Sequence, residues 1–146
     1  LACLGAAQID RHGNINSTVI GDSVFLVGSG GGNDVASAAD EGVVMSTLTR
    51  RRAVADVPYV TSPGVRVRAF VTDLALFERD GDGELALTAV AAGPGSVADR
   101  MDHVRTLCPW DLHVADEVAE LDPPDPVLVE RLRRWDPEGR FLRPGL

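Results

Sequence analysis

The sequence contains no lysine, and all fourteen of its basic residues are arginines. The absence of lysine excludes Schiff-base chemistry and the lysine of a phosphate-binding P-loop. Acidic residues outnumber basic ones by 22 to 14, which gives a net charge of -8 and a pI near 4.7. This balance argues against a basic face of the kind that binds a nucleic-acid backbone, so we expect no nucleic-acid partner.

Cysteine, histidine and long apolar runs are also scarce. Cys3 and Cys108 lie far apart without CxxC spacing, which indicates reduced thiols rather than a zinc site or a disulfide framework. The three histidines lack the i, i+4 spacing of a helical metal site, so no metal site is predicted. No apolar run approaches the roughly 20 residues of a membrane helix, and the start lacks a signal-peptide pattern. We therefore expect a cytoplasmic protein that does not associate with membranes.

The length and the hydrophobic content indicate one domain. With 146 residues, 45% of them hydrophobic, the chain can bury a substantial core, and we treat residues 1–146 as a single domain. The chain opens inside an apolar run and has no initiator methionine. Residues 1–9 are interpreted as a strand buried on both faces, in the middle of a sheet.

Later segments switch between strand and helix patterns. Turn residues at 79–84 join two apolar runs as a β-hairpin. Their Asp-x-Asp-Gly likeness to a calcium loop is rejected because the flanking segments are strands. Ser96 is placed to cap an amphipathic helix that ends at Pro109, and a last helix is predicted over Pro126–Trp135. Residues 141–144 are expected to pack across a partner surface.

A glycine loop, residues 28–34, is the most distinctive stretch. It lies between an apolar run, residues 24–27, and a helix-like run, residues 35–39. A strand, a glycine loop and a helix form an anion-binding arrangement, because glycines expose backbone N–H groups and a helix N-terminus adds positive partial charge. The anion that such a site would bind is a phosphate, a carboxylate or a thioester oxyanion. The alternative is a tight turn in which Asn33 or Asp34 caps the helix.

Polar side chains precede this loop. Gln8 ends the first apolar run, and Asn14 and Asn16 follow it in a segment rich in amides and hydroxyls. The two asparagine amides either face a ligand or hydrogen-bond to their own backbone. No Gly-x-Ser-x-Gly elbow is present, and nothing orders a serine, a histidine and an acid into a triad. The sequence therefore offers no evident nucleophile.

Two stretches together resemble the family I CoA-transferases, specifically the β subunit of the glutaconate type. The first is Leu-Gly-Ala-Ala-Gln-Ile-Asp with Gly-Asn-x-Asn-Ser-Thr-Val-Ile-Gly, and the second is Gly-Ser-Gly-Gly in the glycine loop. Further similarities follow the family's order along nearly the whole chain, in residues 51–52, 59–64, 71–73, 104–112 and 124–137. The resemblance implies an α/β fold of the CoA-transferase/NagB-like kind, with an open, mainly parallel sheet flanked by helices, a β-hairpin and C-terminal helices.

The resemblance also implies a reaction and a set of site residues. In this family CoA passes through a glutamyl-CoA thioester on a catalytic glutamate, which belongs to an N-terminal half that this chain lacks. Backbone N–H groups of Gly30, Gly31 and Gly32 would hold the thioester carbonyl oxygen. The implied substrate-binding residues are Gln8, Asn14, Asn16, Gly28, Ser29 and Asn33. Coenzyme A is implied as a substrate, with no tightly bound cofactor.

The implied partners are a CoA-transferase α subunit, a chain that carries the missing N-terminal β half, and an acyl-CoA substrate. Two alternatives stay open. The first stretch resembles equally the β subunit of the CoA-thioester hydrolases that open steroid rings, and a non-catalytic stabilising subunit is the third possibility. The turn at Pro63 and Gly64 runs directly into Val65, where the family usually has a longer insertion. This difference leaves the acyl group undefined.

Overall fold

The computed structural model describes residues 1–21 and 23–140. These residues form short helices and strands around one large sheet. The strands are β1 (Ala2–Gly5), β2 (Gln8–Ile9), β3 (Ile15–Asn16), β4 (Val19–Ile20), β5 (Val24–Phe25), β6 (Gly42–Met45), β7 (Val67–Val71), β8 (Ala75–Arg79), β9 (Leu85–Ala91) and β10 (Val114–Leu121). The helices are α1 (Gly32–Ala38), α2 (Val97–Leu107) and α3 (Pro126–Trp135), with a 3₁₀ turn at Gly64–Arg66.

The main sheet has six strands in the order β1-β6-β7-β8-β9-β10. Strands β1, β6 and β7 are mutually parallel, and so are β9 and β10. Strand β8 runs antiparallel to both neighbours, because a tight hairpin connects it to β9. The predicted open sheet with mainly parallel strands, a hairpin and C-terminal helices is therefore confirmed.

The hydrophobic core lies against one face of this sheet. Paired residues on that face form a buried row that includes Val44, Phe70, Phe77 and Leu87. The rings of Phe70 and Phe77 stack with their centroids 5.5 Å apart. Helix α2 closes this side through Val104, which belongs to the same core cluster. The α2 side of the sheet thus holds the buried hydrophobic core.

Helices α2 and α3 begin and end as the sequence predicts. Ser96 and Asp99 form a reciprocal capping box at the start of α2. Helix α3 begins at Pro126, after Asp125 accepts the N–H of Val127 at 2.8 Å. None of the helices in the described ranges is long and apolar enough to cross a bilayer.

The expected central strand over residues 1–9 is wrong in two respects. The structure divides it into β1 and β2, and within the described residues β1 pairs only with β6, so β1 lies at an edge of the sheet. Cys3 on this strand is exposed. The apolar run at residues 24–27 is also exposed, and only Val24–Phe25 forms a strand, β5. The expectation for residues 141–144 lies outside the described residues.

One charged pair joins the β8–β9 hairpin to the segment before β10. His113 Nδ1 lies 2.8 Å from Asp80 Oδ2. This hydrogen bond raises the pKa of His113 and lowers the pKa of Asp80. The backbone N–H groups of Asp82 and Glu84 also donate to Asp80, at 3.0 and 2.9 Å. The carboxylate therefore orders the hairpin and holds the imidazolium at the same time.

The raised pKa of His113 makes part of the folding stability depend on pH. In the folded protein Asp80 stabilises protonated His113, so this contribution is complete below the ordinary pKa of 6.5 and is lost as pH rises through the raised folded value. At low pH it is lost when Asp80 is protonated. We expect the stability difference between wild type and His113→Gln, measured by urea unfolding, to shrink between pH 6 and pH 9.

The matched control is His103→Gln, which makes the same change on the exposed surface of α2. Its difference from wild type should not follow the titration of the His113 imidazole, which can be followed by NMR. A His113→Gln difference that stays constant over this pH range would contradict the assignment.

Candidate functional site

Asn16 is fully buried, with none of its surface exposed, and its side chain organises the polar segment before the glycine loop. Its Nδ2 donates to Gln8 Oε1 at 2.8 Å and to the Val19 carbonyl at 2.6 Å. Its Oδ1 accepts the backbone N–H groups of Thr18 and Val19 at 3.0 and 3.2 Å. The amide therefore has a partner for every group it offers, as a buried polar group needs. Of the two options that the sequence left open for Asn16, the structure shows bonding to its own chain.

Asn14 has a similar role beside Asp10, which is only 2% exposed. The Asp10 carboxylate accepts the N–H of His12, the N–H and Nδ2 of Asn14, and the N–H of Val57, at 3.0 to 3.3 Å. Asn14 Oδ1 in turn accepts the N–H of Gly64 at 2.9 Å. The Asn14 amide thus bonds to Asp10 through its nitrogen and to the 3₁₀ turn through its oxygen.

Thr61 and Ser62 complete this network, and the sequence analysis missed them because Thr61 was assigned to a short β-rich run and Ser62 to a turn. Thr61 Oγ1 accepts the N–H of Ser17 and lies 2.9 Å from Thr18 Oγ1. The backbone of Ser62 bonds to that of Ile15 in both directions. Both residues are buried. Their signal in the sequence is two adjacent hydroxyl residues directly before a Pro-Gly pair.

The glycine loop is joined to this network by one hydrogen bond before it and lies beside Ser62 at its other end. The N–H of Leu26 donates to the Thr18 carbonyl at 2.8 Å. At the other end, a Cβ built on Gly32 would lie 3.7 Å from Ser62 Oγ. The amides of Gln8, Asn14 and Asn16 therefore position the loop through neighbouring backbone, and hydrogen bonds do not join them to it directly within the described chain.

The loop itself turns sharply into α1. Gly30 has φ of +50°, a conformation that favours glycine. Gly31 is the N-cap and makes no side-chain cap bond. The alternative that Asn33 or Asp34 caps the helix is wrong, because both lie inside its first turn. Asn33 Oδ1 accepts a bond from Ser37 Oγ at 3.4 Å on the exposed surface.

The backbone N–H groups of the loop differ in what they can bind. The N–H of Gly32 donates to the Ser29 carbonyl at 3.0 Å. Those of Gly30 and Gly31 donate to no group in the part of the chain that the structure describes. A Cβ on Gly28 or Gly31 would meet no described atom within 4 Å. Among the described residues, two backbone N–H groups of the loop are therefore without an acceptor, which leaves them available to an anion.

A second group of polar residues, in the β8–β9 hairpin, has spacing that suits a metal ion. Ligand atoms of Asp80, Asp82 and His113 lie within 4.8 Å of one another, the one such group among residues 1–21 and 23–140. The sequence analysis predicts no metal site. Asp80 already holds two backbone N–H groups and His113, so stabilisation of the hairpin accounts for this arrangement.

The fold defines the class of protein. It superposes on the crystal structure of glutaconate CoA-transferase from Acidaminococcus fermentans with a TM-score of 0.80 and 30% identity, over 99% of this chain and 61% of that one. The AibA/AibB decarboxylase matches with a TM-score of 0.77 and 25% identity, over 96% of this chain and 59% of its own. No protein-family model matches the sequence.

Sequence comparison finds homologues among CoA-transferase subunits. The chain is 33% identical over 150 residues to the β subunit of the 3-oxoadipate CoA-transferase of Pseudomonas knackmussii, covering 89% of this chain and 56% of that subunit. It is 30% identical over 164 residues to the β subunit of the A. fermentans enzyme, covering 98% of this chain and 59% of that subunit. The chain is therefore homologous to part of the B subunits of these two CoA-transferases, as the sequence resemblance indicated, and it spans less than two thirds of their length.

The site network makes one glycine sterically indispensable. A Cβ on Gly64 would lie 2.2 Å from the His12 carbonyl oxygen and within 2.5 Å of the backbone of Gly13 and Asn14. Because backbone atoms cannot rotate away, we expect Gly64→Ala to cost about 3 kcal/mol or more in the free energy of unfolding, at the upper end for overpacking. Chemical denaturation measures this cost. The control is Gly81→Ala, where the Cβ meets nothing within 4 Å, and equal losses would contradict the argument.

Proposed function

We propose that this chain is part of a heteromeric CoA-transferase, which moves CoA between an acyl-CoA and a carboxylic acid. Its partners are an α subunit and a polypeptide that supplies the part of the β subunit without a counterpart here. The catalytic glutamate belongs to that missing part. Coenzyme A enters as a substrate rather than as a tightly bound cofactor, and the complex works in the cytoplasm.

The observation that supports this role most directly concerns the backbone N–H groups of Gly30 and Gly31. Neither of them donates to any described group. When a carboxylate attacks a thioester, the carbonyl oxygen gains negative charge as its carbon becomes tetrahedral. Two N–H groups aimed at that oxygen stabilise the charge, and they do so best when they need not reorganise. The buried amide of Asn16 and the hydroxyl of Thr61 hold the flanking backbone, so the donors are fixed before substrate arrives.

The side chains implied as substrate-binding divide into two groups under this proposal. The amides of Asn14 and Asn16 are used up within the chain and support the loop. The Gln8 side chain accepts from Asn16, while its Nε2 donates to no described group, which leaves that nitrogen for the substrate. Gly28, Ser29 and Asn33 are exposed at the mouth of the loop.

A side chain at Gly31 tests the role of the loop. A Cβ there meets no described atom within 4 Å, so Gly31→Val should fold normally while filling the space in front of the donors. We expect kcat of the assembled complex to fall about 10²-fold or more, the effect of losing one oxyanion donor. The measurement is CoA transfer under saturating substrate, together with the amount of complex recovered.

The control for this variant is Gly81→Val, the same substitution at an open, exposed position in the β8–β9 hairpin. It should retain wild-type turnover. A Gly31→Val complex that assembles and keeps full activity would favour the third alternative, a subunit that only stabilises the enzyme.

Trapping the covalent intermediate separates transfer from hydrolysis. The fold also serves chemistry other than CoA transfer, as its likeness to the AibA/AibB decarboxylase indicates, and the hydrolase alternative uses the same fold. We expect incubation of the complex with acyl-CoA, followed by borohydride or hydroxylamine, to modify one glutamate outside this chain, which peptide mass spectrometry would locate. Complex without acyl-CoA is the control. An active complex that yields no adduct would contradict the transferase and favour the hydrolase.

A further inference from the structure

We propose that the uncovered face of the six-stranded sheet is the docking surface for the part of the β subunit that has no counterpart in this chain. This inference rests on the proposed function, because it assigns a position to a partner named there. The surface, called here the open face, is defined by one row of paired residues, one from each strand: Gly5, Met45, Val71, Leu76, Ala89 and Ala119.

The open face is apolar across the whole sheet. Its defining row contains no charged or polar side chain, although it crosses all six strands. The next row on the same face begins at Cys3 and Val43 and has a charge only at Glu78. Such a pattern is typical of a buried sheet face rather than one that contacts water.

The same face is nevertheless exposed on β1, β6 and β7 and at the end of β10, whereas Ala86 and Ala89 of β9 are buried. Met45 is 50% exposed, and Val71 and Leu121 are 36% and 37% exposed. The opposite face, by contrast, is fully buried at Val44 and Phe70, which alternate with the exposed residues along β6 and β7. Helix α2 belongs to that buried side. The described chain thus covers one face of the sheet and leaves the apolar residues of β1, β6 and β7 on the other face exposed.

Strand β1 points to the same conclusion. Its composition predicts a strand buried on both faces, yet it lies at the sheet edge with Cys3 exposed. Within the described residues its second edge has no neighbouring strand, so its backbone N–H and C=O groups on that side lack sheet partners. An apolar strand with an open edge and an open face is suited to a neighbour from additional polypeptide.

The relatives indicate which polypeptide this is. The chain covers only 56% and 59% of the two homologous CoA-transferase subunits and 61% of the matching chain in the glutaconate CoA-transferase structure. A largely parallel sheet needs helices on both faces, and this chain supplies them for one. The unmatched two fifths of the β subunit is long enough to supply the second layer, so we assign the open face to it.

Charge substitutions on the open face test this assignment in the complex. The chain is co-expressed with the remaining part of the β subunit, and the recovered ratio of the two is measured. Met45→Glu and Val71→Glu should weaken association more than tenfold, because each would bury an unpaired carboxylate. The control is Val65→Glu, at a residue that is 75% exposed and outside the open face. Association unchanged in both face variants would overturn the proposal.

Cys3 supplies a test that needs no destabilising change. In the assembled complex Cys3 should react with a thiol reagent at least tenfold more slowly than a cysteine placed at Gly81, on the hairpin tip. Cys108 should be unreactive throughout, because burial raises the pKa of its thiol to about 12. Equal rates at Cys3 and the tip, or a homodimer of this chain formed through the open face, would overturn the proposal. Association is measured separately from activity, so loss of transferase activity with intact docking would contradict only the proposed function.

Discussion

The candidate site depends on the buried side-chain amide of Asn16, whose hydrogen-bonding groups are all paired. A buried carboxamide is costly unless each of its hydrogen-bonding groups is paired, and here four bonds are made to Gln8, Thr18 and Val19. These bonds force the chain to turn between β3 and β4. The turn then brings the Thr18 carbonyl to Leu26, directly before the glycine loop. The position of the loop therefore follows from satisfying one buried polar side chain.

Local sequence was sufficient to predict features that depend on nearby residues. The capping box of α2 and the start of α3 at Pro126 involve residues within three positions of each other, and the β8–β9 hairpin closes between Arg79 and Leu85. The link from Thr61 to Ser17 and Thr18 spans more than forty residues, and no local pattern encodes it. The same limit applies to Asn14, whose oxygen meets Gly64 across fifty residues.

The glycine loop shows why resemblance and geometry answer different questions. The family resemblance pointed to the backbone N–H groups of Gly30, Gly31 and Gly32 as donors to the substrate. It could not show which of these groups already form a hydrogen bond within the loop. The turn that requires positive φ at Gly30 also brings the Ser29 carbonyl to the N–H of Gly32. Closing the turn therefore consumes one donor and leaves two. The geometry of the loop, rather than its count of glycines, limits what it can bind.

The open face and the glycine loop are incomplete in complementary ways. Within the described residues, the N–H groups of Gly30 and Gly31 have no acceptor. Apolar side chains of the sheet such as Met45 and Val71 are likewise exposed there. Strand β1 connects the two features, because it forms one edge of the sheet and leads directly into Gln8 and the Asn16 network. A polypeptide that covers β1 would thus lie near the loop as well. Under the proposed function, the polypeptide that covers the sheet would also carry the nucleophile, and this position would bring that nucleophile close to the glycine loop.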